Sequence, residues 1–131
     1  MIEIRYTSPH DLDISGKPED LQLVRRRVVD LCKSDALQAI VKADGAIDPS
    51  PYVLAIPRLV LVKGQGPTRI SLKDAEELQI EGSPENLEEL ASFFDFQESA
   101  SKGDHLHYEH FEGIDSIAED SIPLVVSVRL Y

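Results

Sequence analysis

Apolar and charged residues alternate from the first positions: Ile2, Ile4 and Tyr6 are separated by Glu3 and Arg5, a period of two that predicts a half-buried strand. The polar turn Ser8-Pro9-His10-Asp11 leads into a second short strand, 12–15, with Leu12 and Ile14 on one face, so the two strands read as a hairpin. Gly16 interrupts it. Pro18 then stands where a helix begins, because the first helical residue has no use for its N–H and proline's fixed φ suits the position. From there the period lengthens. Leu21, Val24, Val28 and Leu31 or Cys32 form a stripe at three- to four-residue spacing, which predicts a helix over 18–33. Two further strands are expected at 36–43 and 53–62, joined by the polar loop 44–51, with Pro57 at a strand start or sheet edge.

The pattern then returns. Sliding residues 1–65 onto 67–131 without a gap gives twelve identities. Leu12, Ile14, Gly16, Pro18, Glu19 and Leu21 fall on Leu78, Ile80, Gly82, Pro84, Glu85 and Leu87; Ile56, Pro57, Val60 and Val62 fall on Ile122, Pro123, Val126 and Val128. The second set of elements is a strand through Ile70 and Leu72, a turn at 73–76 and a strand over 78–81. A helix over 84–98 follows, with Leu87, Leu90, Ala91 and Phe94 inward, then strands over 104–111 and 122–130. Ser83 is a good helix N-cap and its counterpart Lys17 a poor one. Gly64-Gln65-Gly66-Pro67 reads as the linker. The expectation is an α+β fold: an internally duplicated ββαββ unit forming a pseudo-twofold antiparallel sheet with two helices packed on one face. Residues 1–131 form a single domain of two copies, 1–65 and 67–131. Two halves sharing one core suit a chain whose halves are each small for independent folding.

Charge distinguishes the halves. Residues 1–66 carry nine acids and nine bases, whereas 67–131 carry fifteen acids and four bases, which accounts for the whole net charge of -11. An acidic surplus argues against nucleic acid, which needs clustered Lys and Arg, and towards a basic protein partner or plain solubility. The N-terminus lacks the basic start and long apolar run of a secretory signal, and no stretch is apolar enough for a membrane helix. A single cysteine, Cys32, excludes an internal disulfide and fits a reducing cytoplasm. Its apolar surroundings mark a core thiol rather than a nucleophile, which would want an electropositive, accessible setting.

Candidate chemistry is sparse. On a strand, His105, His107 and Glu109 would point one way and have the residue types of a zinc site, while His110 points to the other face; the first half has Ala39, Val41 and Ala43 there. A solvated or partner-facing strand accounts for these residues with less. Arg25-Arg26-Arg27 spreads around a helix rather than forming one anion site, and pairing with the acidic second half is the expectation. Phosphate-binding loops, nucleophile elbows and His-Glu-x-x-His are absent, so no catalytic residue and no cofactor or metal is assigned and the protein is read as no enzyme.

Ile80-Glu81-Gly82-Ser83-Pro84-Glu85-Asn86-Leu87-Glu88-Glu89-Leu90-Ala91, then His105-Leu106-His107-Tyr108-Glu109, then Ser121-Ile122-Pro123-Leu124-Val125-Val126 resembles the Immunity protein 32 family, small α+β proteins of bacterial polymorphic toxin systems. The resemblance spans roughly residues 78–130; the first half matches more weakly through residues 14–21 and lacks the His-x-His strand. It implies a cytoplasmic antidote that binds and neutralises a cognate toxin domain, with no catalytic residues to carry over. Charge density and loop position then nominate Glu109, Glu112, Asp115, Glu119 and Asp120 as the partner-binding surface, facing a basic toxin and neither nucleic acid nor membrane, the protein itself a monomer or homodimer. Two rival readings are an assembly module that forms oligomers through exposed strands and a zinc-dependent enzyme using His105 and His107.

Overall fold

The computed structural model describes residues 1–129. β1 (Glu3–Thr7) and β2 (Asp11–Gly16) form the first hairpin, followed by α1 (Pro18–Lys33), β3 (Gln38–Lys42), β4 (Leu54–Ala55) and β5 (Arg58–Lys63). A second hairpin, β6 (Arg69–Asp74) and β7 (Glu77–Gly82), precedes α2 (Pro84–Ser92), β8 (His105–Tyr108) and β9 (Leu124–Val128). The α+β class holds. The single antiparallel sheet does not: the strands form two mixed sheets, β4-β1-β2-β9-β8 and β3-β5-β7-β6.

The two halves exchange strands. β9 and β8, from the second half, extend the first hairpin, with β9 parallel to β2; β5 and β3, from the first half, extend the second, with β5 parallel to β7. The crossover falls at the repeated Ile-Pro. Ile56 N–H donates to the Ile4 carbonyl (2.9 Å) and Ile122 N–H to the Ile70 carbonyl (3.0 Å), so each chain still edges its own hairpin at that point. The proline that follows has no N–H with which to continue the ladder. One residue later the chain joins the other half's sheet.

The hairpins superpose in register: Glu3 pairs with Ser15 as Arg69 pairs with Glu81, both 66 residues on. The exchanged strands do not. Leu78 pairs with Leu59, whereas Leu12 pairs with Leu124, one position away from where the 66-residue offset would put it. A one-residue slip turns every side chain to the opposite face. Leu59 and Leu61 therefore face the core with Leu78 and Ile80, while Val60 lies opposite Gln79 on the other face and outside the core cluster. In β9 the inward residues are Leu124, Val126 and Val128. The sequence match of Val60 with Val126 and of Val62 with Val128 is thus an identity between residues on opposite sides of their sheets.

α1 spans the predicted 18–33, its Leu21, Val24, Val28 and Leu31 buried. Lys17 makes no side-chain cap, whereas the Ser83 hydroxyl accepts from Asn86 N–H, as the residue types imply. α2 stops at Ser92 rather than continuing to 98. Phe94 and Phe96 are both buried, and Gln22 of α1 donates to the Asp95 carboxylate and the Phe96 carbonyl, which holds the chain in a turn after Phe93. The remaining strands are shorter than expected. The stretch 53–62 is divided at Pro57, 104–111 retains only β8, and Leu130, the expected end of the last strand, lies outside the described residues.

Gly16 and Gly82 occupy matching places but are crowded by different neighbours. Each lies opposite the residue that begins its hairpin, and a Cβ at Gly82 would stand 2.9 Å from Thr68 Oγ1 and 3.0 Å from its Cα. At Gly16 it would meet Asp20 Cβ at 3.1 Å. A side chain at Gly82 would have to displace the facing strand, while one at Gly16 would press on the first turn of α1. The linker is tied down as well: Gly66 has φ 83, and its carbonyl accepts from Ser83 N–H and the Asn86 side chain.

Candidate partner-binding surface

Two mixed sheets of four or five strands present four edges, of which one is covered, one is tethered by a helix side chain and one is very short. The β6 edge is covered by the loop before β9: Thr68 N–H donates to the Ser116 carbonyl, Ala118 N–H to the Thr68 carbonyl (both 2.8 Å), and Ile70 N–H to the Ser121 hydroxyl (2.8 Å). At the β3 edge one outward carbonyl is taken, that of Ile40, to which the Arg27 guanidinium of α1 donates at 2.7 Å, and beyond the strand Asp44 N–H donates to the Ile2 carbonyl. β4 is only two residues long, too short to template pairing. The fourth edge is β8.

β8 carries His105, Leu106 and His107, all exposed, and ends on buried Tyr108. Val128 N–H donates to the Asp104 carbonyl at 2.9 Å. Because antiparallel pairs alternate, the main-chain groups of Leu106 and Tyr108 then turn towards β9 and those of His105 and His107 turn away from it. The two imidazoles stand edge to face with centroids 5.1 Å apart. Glu109 falls beyond the strand, and no three metal-ligand residues converge among the described residues, so the His105-His107-Glu109 arrangement expected of a zinc site does not assemble.

The five nominated acids are all exposed. Glu109 follows β8, at the margin of the five-stranded sheet. Glu119 and Asp120 lie with Arg69 and Pro67 at the start of β6, in the other sheet. Glu112 and Asp115 are in the loop between. They belong to one connected segment but border both sheets. Asp120 is the exception among them: Arg69 Nε donates to it at 2.8 Å, and that bond holds its carboxyl below the usual range.

Charges elsewhere are used internally. Arg25 bonds to Gln22 and approaches Asp95 at 3.9 Å, Arg27 caps β3, and Arg26 lines a cleft of about 420 Å³ with Lys17, Gln22, Phe96 and Glu98. The arginine run therefore points to three surroundings, one of them the acidic half. Cys32 is half-buried with its thiol against the Pro84 carbonyl, and burial, then Glu88, pushes it up in pKa, the reverse of an activated thiolate.

One polar layer escaped the sequence reading. On the non-core face of the five-stranded sheet, Glu3, Arg5, Asp13 and Ser15 are buried. Arg5 lies 2.7 Å from Glu3 and donates to Ser15, Ser127 donates to Asp13 at 2.8 Å, and Arg129 donates to Ser15. The layer is incompletely paired. Arg5 Nε has no hydrogen bond, and Glu3 Oε1 is close to the guanidinium but outside hydrogen-bond geometry. Burial raises the Asp13 pKa against the pull of Ser127, Arg129 and Arg5. Tyr52, from the loop before β4, is near enough to feel this layer: burial and then Asp13 and Asp11 raise its phenol. The alternating charges of the first hairpin read as a solvent face because nothing in their spacing discloses that loop.

No helix is long and apolar enough to cross a membrane among the described residues. Neither the curated proteins nor the solved structures contain a match to the chain. The β7-α2-β8-β9 segment, with the open edge and most of the acidic surplus, does have one: residues 77–128 match the family model described as Immunity protein 32, which bears out the resemblance read from the sequence.

Proposed function

We propose that this protein is a bacterial, cytoplasmic antidote that binds a basic toxin domain and blocks it without chemistry of its own. The match of residues 77–128 to an immunity family supports an immunity function, and it is the observation that carries this reading. The physical support is that the matched half is also the charged half. With fifteen acids against four bases over 67–131, it would attract a basic surface from a distance and speed encounter. Glu109, Glu112, Asp115 and Glu119 are the contact residues in this proposal. Asp120 contributes through Arg69, because its charge is already shared.

The test is affinity capture from the native bacterium at low and high salt, followed by titration of the recovered toxin domain against the wild type and a variant with all five acids replaced by Ser. A stoichiometric basic partner, bound at least tenfold more weakly by the variant and with a shallower salt dependence, is the expected result. Equal affinity of a correctly folded variant would remove the acidic surface from the proposal. Recovery of only the protein itself, in a strain shown to express toxins, would favour the assembly reading.

A further inference from the structure

We infer that β8 is a strand-addition site: an extended, lysine- or arginine-bearing segment of the partner pairs alongside it and bonds to the outward main-chain groups of His105 and His107. The inference rests on the binding role proposed above and gives it a mode. An uncovered strand edge presents a row of donors and acceptors that another strand satisfies, and main-chain bonds of this kind supply affinity while flanking pockets supply specificity. Among the four edges, β8 is the one longer than two residues on which, among the described residues, no other element takes an outward main-chain group. Proteins blunt such edges with proline, inward charge or lysine. His105, Leu106 and His107 do none of this.

The side chains on either side fit an incoming strand. His105 and His107 line one face of the edge, while Leu106, which points to the core side, is still 41% exposed and offers apolar contact. Phe111, three residues past the strand, is 62% exposed. Charge chooses the occupant. Asp104 precedes the strand and Glu109 and Glu112 follow it, all exposed. A second copy pairing antiparallel would bring two such acidic ends together, whereas a basic segment complements both.

The probe is a seven-residue peptide alternating lysine and valine, compared with the same peptide N-methylated at alternate amides along one edge, which keeps the charge but cannot pair. Binding is followed by the amide resonances of the intact protein. The expected result is perturbation centred on His105 and His107 by the unmethylated peptide and at least tenfold weaker binding of the methylated one. His107→Pro removes an outward N–H while leaving the ladder to β9 intact and should weaken binding at least tenfold, whereas His107→Ala, which controls for loss of the imidazole, should change it less than threefold. Equal binding of both peptides, perturbation centred elsewhere, or no binding overturns the inference, as does self-association of the wild type that His107→Pro abolishes. The toxin domain separates this failure from that of the antidote reading. If His107→Pro captures the toxin as tightly as the wild type does, the edge is not the site and the antidote role stands. If the wild type captures no toxin, that role fails on its own account.

Discussion

β3 and β8 occupy matching places at the ends of their sheets, and they meet solvent differently. Each is the outer strand beside an exchanged partner, β5 or β9, and the two pairings share one register sum after a 66-residue shift in both strands. Yet β3 lies under a sixteen-residue helix that delivers Arg27 to its edge, while α2 has nine residues and leaves β8 uncapped. Arg27 is in the third turn of α1, whereas its counterpart, Phe93, is the residue that ends α2, so the lesson is that one arginine on a helix face tethers an edge that an aromatic residue at the same place leaves free. The family match falls on the half where the edge is open.

The comparison breaks most severely if the chain is cut. Expressed separately, 1–65 and 67–131 should each lack cooperative unfolding by circular dichroism, because β5 loses β7 and β9 loses β2; mixing them should restore the native signal. A half that folds alone as a monomer would contradict the exchange of strands. The slip between β5 and β9 gives the next largest effect. Val126→Thr places a hydroxyl in the core and should cost about 2 kcal/mol, while Val60→Thr, buried but on the opposite face beside Gln79, should cost about 1 kcal/mol or less by urea denaturation. Equal costs would mean that the two valines face the same way after all.

Opening β3 sharpens the comparison of edges. Arg27→Ala should lower stability by about 0.5–1 kcal/mol and make the β3 edge as accessible as β8, seen as faster amide exchange through Gln38–Lys42. Unchanged exchange would show that the guanidinium does not guard the strand. The smallest shift is expected in the polar layer on the five-stranded sheet. Burial raises the folded pKa of Asp13 above its ordinary value, so the native state binds the proton more tightly than the unfolded chain. This group's contribution is most favourable below the ordinary carboxylate value and is lost as pH rises through the raised one. Asp13→Asn, which keeps an acceptor for Ser127, should therefore be more stable than the wild type at pH 7, with the advantage shrinking as pH falls into the carboxylate range. An advantage that grows with acid would reverse the sign argument.

Local chemistry was legible. The period-two hairpins, the Pro18 and Pro84 helix starts, the Ser83 cap and the buried stripe of α1 each follow from a few neighbouring residues, and each is present. The acidic half was legible because charge is additive along a chain, and the resemblance over residues 78–130 was legible because its motifs are contiguous. The end of α2 was not. Its aromatic run Phe93-Phe94 and Phe96 resembles a helix face until Gln22, some seventy residues earlier, binds the turn that ends it.

What the sequence determined by itself is the element order, the α+β class and the concentration of acid in the second half, since these depend on spacing and composition within one stretch. Tertiary structure alone decided which strands share a sheet, which face Val60 takes and which edge stays open. The reason is that these depend on hydrogen bonds between residues far apart in the chain. An Ile-Pro pair can mark where a strand leaves its hairpin, but only the partner ladder fixes where it goes and in what register.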